Sequence, residues 1–251
     1  MVDLDFWFFA VAIPAVLFAG VSKAGFGSGA SFAAGAILAM FVSPGMALGI
    51  MLPLYIMMDA TAIRPYWGKW HGPSAKWLVI GSVPGIAIAG LIYASVDANV
   101  FRFLIGVICL AFVAYQAARA YGVLRVGHFG FNRNAGALAG LVAGFTSFVA
   151  HAGGPPAAVF LLGQGLSKTT YQATTVVVFS AINLLKFFPF LALGIFTWQT
   201  ALIDLLLAPF AFIGAWLGVR AHQWVPEKAF FALTYVLLVL TGLRLIWLSV
   251  G

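Results

Sequence analysis

The chain has 251 residues, of which 63% are hydrophobic and only 8% charged. A soluble domain carries roughly a quarter charged residues, so an ordinary soluble fold is excluded. The net charge of +7 reads as basic loops on the cytoplasmic side of a bilayer, not as a nucleic-acid surface. Cys109 is the single cysteine, which excludes an intrachain disulfide. No Cys/His cluster calls for a metal, no motif calls for a cofactor, and no phosphate-binding G-x-x-x-x-G-K-[ST] run supports ATP-driven transport. Six acidic residues and four scattered histidines supply no catalytic cluster, so no enzyme is expected.

Apolar runs fill the chain, and about ten segments are expected: 6–22, 28–41, 45–63, 77–95, 100–121, 134–150, 155–164, 169–190, 198–220 and 228–250. The first follows Asp3 and Asp5 and no basic residue, which argues against a cleaved signal peptide. Two segments are short. At 1.5 Å per residue, 28–41 and 155–164 cover roughly 21 and 15 Å of a hydrocarbon core about 30 Å thick. Each follows a break, SKAGFGSG (22–29) in one case and HAGGPP (151–156) in the other.

The matching order of break, short segment and three long segments predicts an internal repeat. A constant offset aligns Gly29 with Gly153, Ala33 and Ala34 with Ala157 and Ala158, Asp59 with Asn183, and Pro65 with Pro189. Pro84 with Pro209, and Phe101 and Leu104 with Phe230 and Leu233, follow at nearly the same offset. The expected fold is therefore an all-α membrane protein of about ten transmembrane segments. It forms one integral membrane domain over 1–251, with repeats at about 6–121 and 134–250. Five crossings per repeat invert the second against the first, a transporter architecture with short broken helices near the midplane.

Loops holding Arg64, Lys69, His71 and Lys76, then Arg119, Arg125 and Arg133, then Arg220, His222 and Lys228, all fall on the cytoplasmic side of this scheme. Asp97 falls outside, and Arg102 and Arg244, nearer the outer side, fit by snorkelling. Gly136, Gly140 and Gly144, Gly81 with Gly85, and Gly214 with Gly218 recur every fourth residue, the spacing that lets helices approach closely in lipid. Such faces serve either the monomer's own packing or a homodimer. Trp7, Trp67, Trp70, Trp77, Trp198, Trp224 and Trp247 mark segment ends as an aromatic belt.

Proline is tolerated in a first helical turn, so HAGGPP reads as a loop followed by a helix start at Pro155 or Pro156. Ser28 is placed to cap the helix after GFGSG. Both breaks would then present helix N-termini, which favour anions, inside the membrane. Ordinary turns near the surfaces are the plainer alternative. Ionisable residues within such segments are functional candidates. Lys23 lies at the first break and His151 at the second. Asn183 and Lys186 share a helix face, and Asp59 occupies the matching segment of the first half. The excess of cations favours an anionic substrate. Gly25, Gly27, Gly29, Gly153 and Gly154 would allow close backbone approach. Ser28, Ser31 and Ser147 would donate hydrogen bonds, Thr146 offers a further hydroxyl, and Asn183 an amide. Lys23, His151 and Lys186 would supply charge. Asp59, then His151, are the proton-carrier candidates. Each has a structural alternative: snorkelling for the lysines, an ion pair for Asp59, backbone capping for His151.

The stretches GFGSGASFAAGAIL and GFTSFVAHAGGPPAAVFLL, with QGLSKTTYQATTVVVFSAINLLKF after them, resemble the TauE/SafE sulfite exporter family over about residues 15–250. The GGPP element is the more specific; Ser28 and Ser31 interrupt the glycine run that the family commonly has in the first half. The resemblance implies a secondary transporter in the cell inner (plasma) membrane. Its substrates would be small sulfur-containing anions such as sulfite or organosulfonates, exported by alternating access with proton coupling. An anion channel, or a transporter of another small oxyanion or carboxylate, would use the same site chemistry. The expected partners are the small anion and the lipid bilayer.

Overall fold

The computed structural model describes residues 6–26, 30–124, 127, 130–224 and 227–250. Every regular element among them is helical. Ten α-helices follow one another: α1 (Phe6–Val21), α2 (Ala33–Leu38), α3 (Pro44–Ile63), α4 (Gly72–Ser95), α5 (Ala98–Ala120), α6 (Arg133–Ala150), α7 (Gly154–Leu162), α8 (Lys168–Ala192), α9 (Trp198–Trp224) and α10 (Glu227–Val250). A π-helical turn, Ser22–Phe26, continues α1.

Seven of these helices are long and apolar enough to cross a membrane, so the chain is a multi-pass membrane protein. The count of seven is lower than the ten expected segments. α2 and α7 have six and nine residues, too few to span a core of about 30 Å at 1.5 Å per residue. The glycine- and alanine-rich α6 stops at the HAGGPP break.

Helix starts follow local rules. Ser43 accepts from the Met46 amide with Pro44 in the first turn. Asp97 accepts from Asn99 and Val100, Asn132 from Asn134 and Ala135, and Ser167 from Thr170. Each satisfies amides that the helix cannot. The start of α2 differs from expectation. Its N-cap is Phe32, with no side-chain cap, and Ser28 lies outside the described residues. The Ala33 and Ala34 amides instead bond back to Ala30 and Ser31.

Packing is set by glycine. A Cβ at Gly81 would strike the Ala137 backbone, at Gly85 the Leu141 backbone, at Gly140 the Leu78 backbone and at Gly144 the Ser82 backbone. α4 and α6 therefore run side by side in the same direction, main chain against main chain. Gly20, Gly214 and Gly218 do the same for α1 and α9, while Gly106 and Gly242 meet between the antiparallel α5 and α10. α7 folds back along α6, since the Phe160 ring reaches Gly136. The starts of α4 and α8 meet where the His71 amide donates to Thr174 Oγ1, and the end of α7 joins them where Ser74 Oγ donates to Gln164. This basic end of the bundle also carries Arg64, Arg119, Arg133 and Lys168. α3 runs antiparallel to α8, with Gly49 against Ile195 near one end and Asp59 against Asn183 further along.

Candidate functional site

Lys23 of the first break and His151 of the second are both buried, on either side of the Tyr55 ring. Lys23 sits in the π-helical turn after α1, the kind of local unwinding common at functional sites. Its ammonium lies 2.7 Å from Asp59 Oδ1 and donates to the Tyr55 carbonyl at 3.2 Å. Asn183 Nδ2 donates to the other Asp59 oxygen at 2.7 Å. Asp59 thus has a partner on each oxygen, although the contact with Lys23 is an ion pair without hydrogen-bond geometry. Lys23, Asp59 and Asn183 are all buried.

Beside this group lies a second one. Lys186 is fully buried at 0% exposure. It donates to the Ser147 carbonyl at 3.0 Å and stands 2.9 Å from His151 Nδ1. A charged Lys186 has no lone pair to accept with; in that state Nδ1 accepts and the ring proton sits on Nε2. His151 Nε2 is buried and makes no hydrogen bond of full geometry; the Leu48 backbone is the polar group within reach of the ring. Asp59 and Lys23 act on Lys186 only from beyond ion-pair distance. Lys23 and Asp59 cancel, and among the described residues Lys186 has no carboxylate of its own.

His151 also explains the geometry of the break. It terminates α6 in the left-handed region at φ 56°, its amide bonding to the Ser147 carbonyl and that of Ala152 to Thr146. Glycine is the usual residue there. A histidine costs on the order of 1 kcal/mol in that conformation, which its ring contacts must offset. The backbone-capping role and the side-chain role coincide in one residue.

Tyr55, absent from the expected residues, joins the groups. Its hydroxyl donates to the Ser31 carbonyl at 2.7 Å. Its ring lies 5.0 Å from the His151 ring and 4.9 Å from the Lys23 ammonium. The sequence offers little signal for it, since one tyrosine in an apolar helix is ordinary. The spacing to Asp59, one helical turn away, is the only pointer.

The remaining candidates divide. Ser31 and Ser147 are buried at the cluster and give it their carbonyls. Thr146 bonds backbone carbonyls on both sides of the break, at Val142 and Ala152. A Cβ on Gly153 would crowd Ala143, Phe179 and Ser147, and one on Gly25 would strike the Gly218 backbone. Close helix contact alone therefore demands a glycine at 25. Gly154 starts α7 and faces a cleft. Gly27, Ser28 and Gly29 lie outside the described residues.

The helix starts hold fewer free donors than expected. Pro155 and Pro156 have no amide hydrogen, and the Ala157 amide already bonds to Gly153. α2 has only six residues, so its dipole is short. Positive charge in this interior would therefore come from side chains, Lys186 foremost, more than from helix ends.

Among the described residues, no group of His, Cys, Asp and Glu is placed to hold a metal ion. No curated protein and no solved structure matches the chain. The family model described as sulfite exporter TauE/SafE matches residues 12–245, nearly the whole length. With a multi-pass helical bundle and two broken helices meeting at buried lysines, the chain belongs to the TauE/SafE sulfite exporter family.

Proposed function

We propose that this protein is a secondary transporter that carries small sulfur-containing anions, such as sulfite or short organosulfonates, out of the cell across the inner membrane. One observation carries the reading: Lys186 is fully buried and has no carboxylate within ion-pair distance among the described residues. An unmatched ammonium at that depth is costly. A bound anion would supply the missing charge, and the Nε2–H of His151 would donate to one of its oxygens. The family's description names sulfite, which supports a small sulfur anion as the substrate.

The architecture we read is a pair of inverted halves, about 6–121 and 134–250. The packing supports it, because exchanging the halves maps the α4–α6 seam onto the α9–α1 seam. It also maps the antiparallel pairs α3–α8 and α5–α10 onto themselves. A two-fold axis that exchanges antiparallel partners lies across the helices, in the membrane plane. The anion would sit near that axis and be exposed to each side in turn. We assign the coupled proton to Asp59, because protonating it would end its ion pair with Lys23 while Oδ2 could still accept from Asn183. The basic end would be cytoplasmic.

The test is flux in proteoliposomes supplied with sulfite, sulfate, thiosulfate or a short organosulfonate, with and without a pH gradient. Saturable flux of one sulfur anion, faster with the gradient and unresponsive to it in Asp59→Asn, is expected. Absence of flux for all four in folded protein would remove the sulfur-anion reading.

A further inference from the structure

A second polar space lies outside the buried cluster. A cleft of about 140 Å³ opens between α5, α7 and α8, with Phe231 of α10 at its wall. Arg119, Gln116, Tyr115, Tyr171, Gln172 and Thr175 line it, together with the first residues of α7. No carboxylate stands within ion-pair distance of Arg119 among the described residues; its guanidinium lies 5.9 Å from the Tyr115 ring. The Tyr115 hydroxyl is buried and has no hydrogen-bond partner. Gln116 donates to the Tyr235 hydroxyl and Thr175 to the Gln172 carbonyl, which leaves the Arg119 guanidinium and the Tyr115 hydroxyl as donors at this small cavity with no hydrogen-bond acceptor among the described residues.

The cleft is in line with the inner cluster. Gln172, Thr175, Phe179, Asn183 and Lys186 follow at steps of three and four residues, which puts them on one face of α8. Gln172, Thr175 and Phe179 line the cleft, while Asn183 and Lys186 belong to the buried cluster. Thr175 and Asn183 are separated by about 12 Å of helix. The buried Phe179 ring lies between them, pressed on Gly153 at the second break.

We propose that this cleft is an antechamber that binds the small sulfonate- or sulfite-like anion at Arg119 on the basic side, with Phe179 as the ring that closes it from Lys186. The inference rests on the transport reading for its substrate class, but its test needs no flux. Cys109 is buried and is replaced by alanine, and Gln172→Cys puts a single thiol in the cleft. Purified protein is reacted with 2-sulfonatoethyl methanethiosulfonate and with its trimethylammonium analogue, each rate normalised to that with a free thiol.

A focused positive site raises local anion concentration roughly tenfold or more. The anionic reagent is therefore expected to react faster by about that factor, and ethanesulfonate to slow it. Arg119→Gln should abolish the preference and Arg119→Lys restore it. Equal rates for both reagents, no reaction at Gln172→Cys, or a preference that survives Arg119→Gln would each overturn the proposal. Failure of flux in proteoliposomes would leave these results intact, so the two readings fail separately.

Discussion

Asn183 and Asp59 hydrogen-bond across the bundle at 2.7 Å, and they stand 124 residues apart, the same offset that aligns the two halves of the sequence. The carboxylate they share with Lys23 is matched on both oxygens. Removing it would leave a buried ammonium alone, a loss of about 3–5 kcal/mol. Asp59→Ala should therefore lower the detergent-solubilised Tm sharply, and the pair Lys23→Met with Asp59→Leu should recover most of it. A double variant no more stable than Asp59→Ala would contradict the ion pair as the source of the loss.

Lys186→Met keeps length and removes the unmatched charge. Burying an isolated polar group opposes folding, so the variant should be at least as stable as the parent. Anion flux should fall at least roughly tenfold, since a charge-assisted contact contributes about 1.5–3 kcal/mol. Thermal unfolding and proteoliposome uptake on the same preparation check both halves. A less stable variant with normal flux would make Lys186 a structural residue.

The left-handed break at 151 offers a separable test. His151→Gly suits that conformation, whereas His151→Ala does not, so the glycine variant should be the more stable by about 1 kcal/mol. Both lose the Nε2 donor, and both should show a raised KM for the anion. Different KM values for the two would point to backbone geometry as the cause.

At the helix seams, Gly140→Leu and Gly214→Leu would drive side chains into the backbones of Leu78 and Leu17. Little folded protein should be recovered from either, as judged by size-exclusion profiles in detergent. Gly72→Ala, with open space around it, should behave as the parent.

Much of this was legible from the sequence at the level of segments. The apolar runs, the two breaks, the glycine spacings and the lysines in greasy surroundings all follow from local chemistry. Lys23, Asp59, His151, Asn183 and Lys186 do meet. What could not be read was depth and partner choice. Arg119 looked like any loop cation, yet the fold sets it at a cleft. Gly25 looked like a ligand contact, yet Gly218 presses on it. Asp204 has no motif around it in the sequence, yet it is buried on α9 with one oxygen unpartnered. Such facts depend on which helix comes to lie alongside, and periodicity within one helix cannot supply that.

The glycine seams carry one more consequence. α4 is locked to α6, α1 to α9 and α5 to α10, so every lock joins the early part of the chain to the late part. A fragment ending near residue 121 would leave three bare grooves of exposed main chain. Between α3 and α8 the main chains approach in this way only near one end, where Gly49 meets Ile195; further along, side chains make the contact, Asp59 with Asn183. Under the transport reading, the seam held by side chains is also the one beside which the anion would sit.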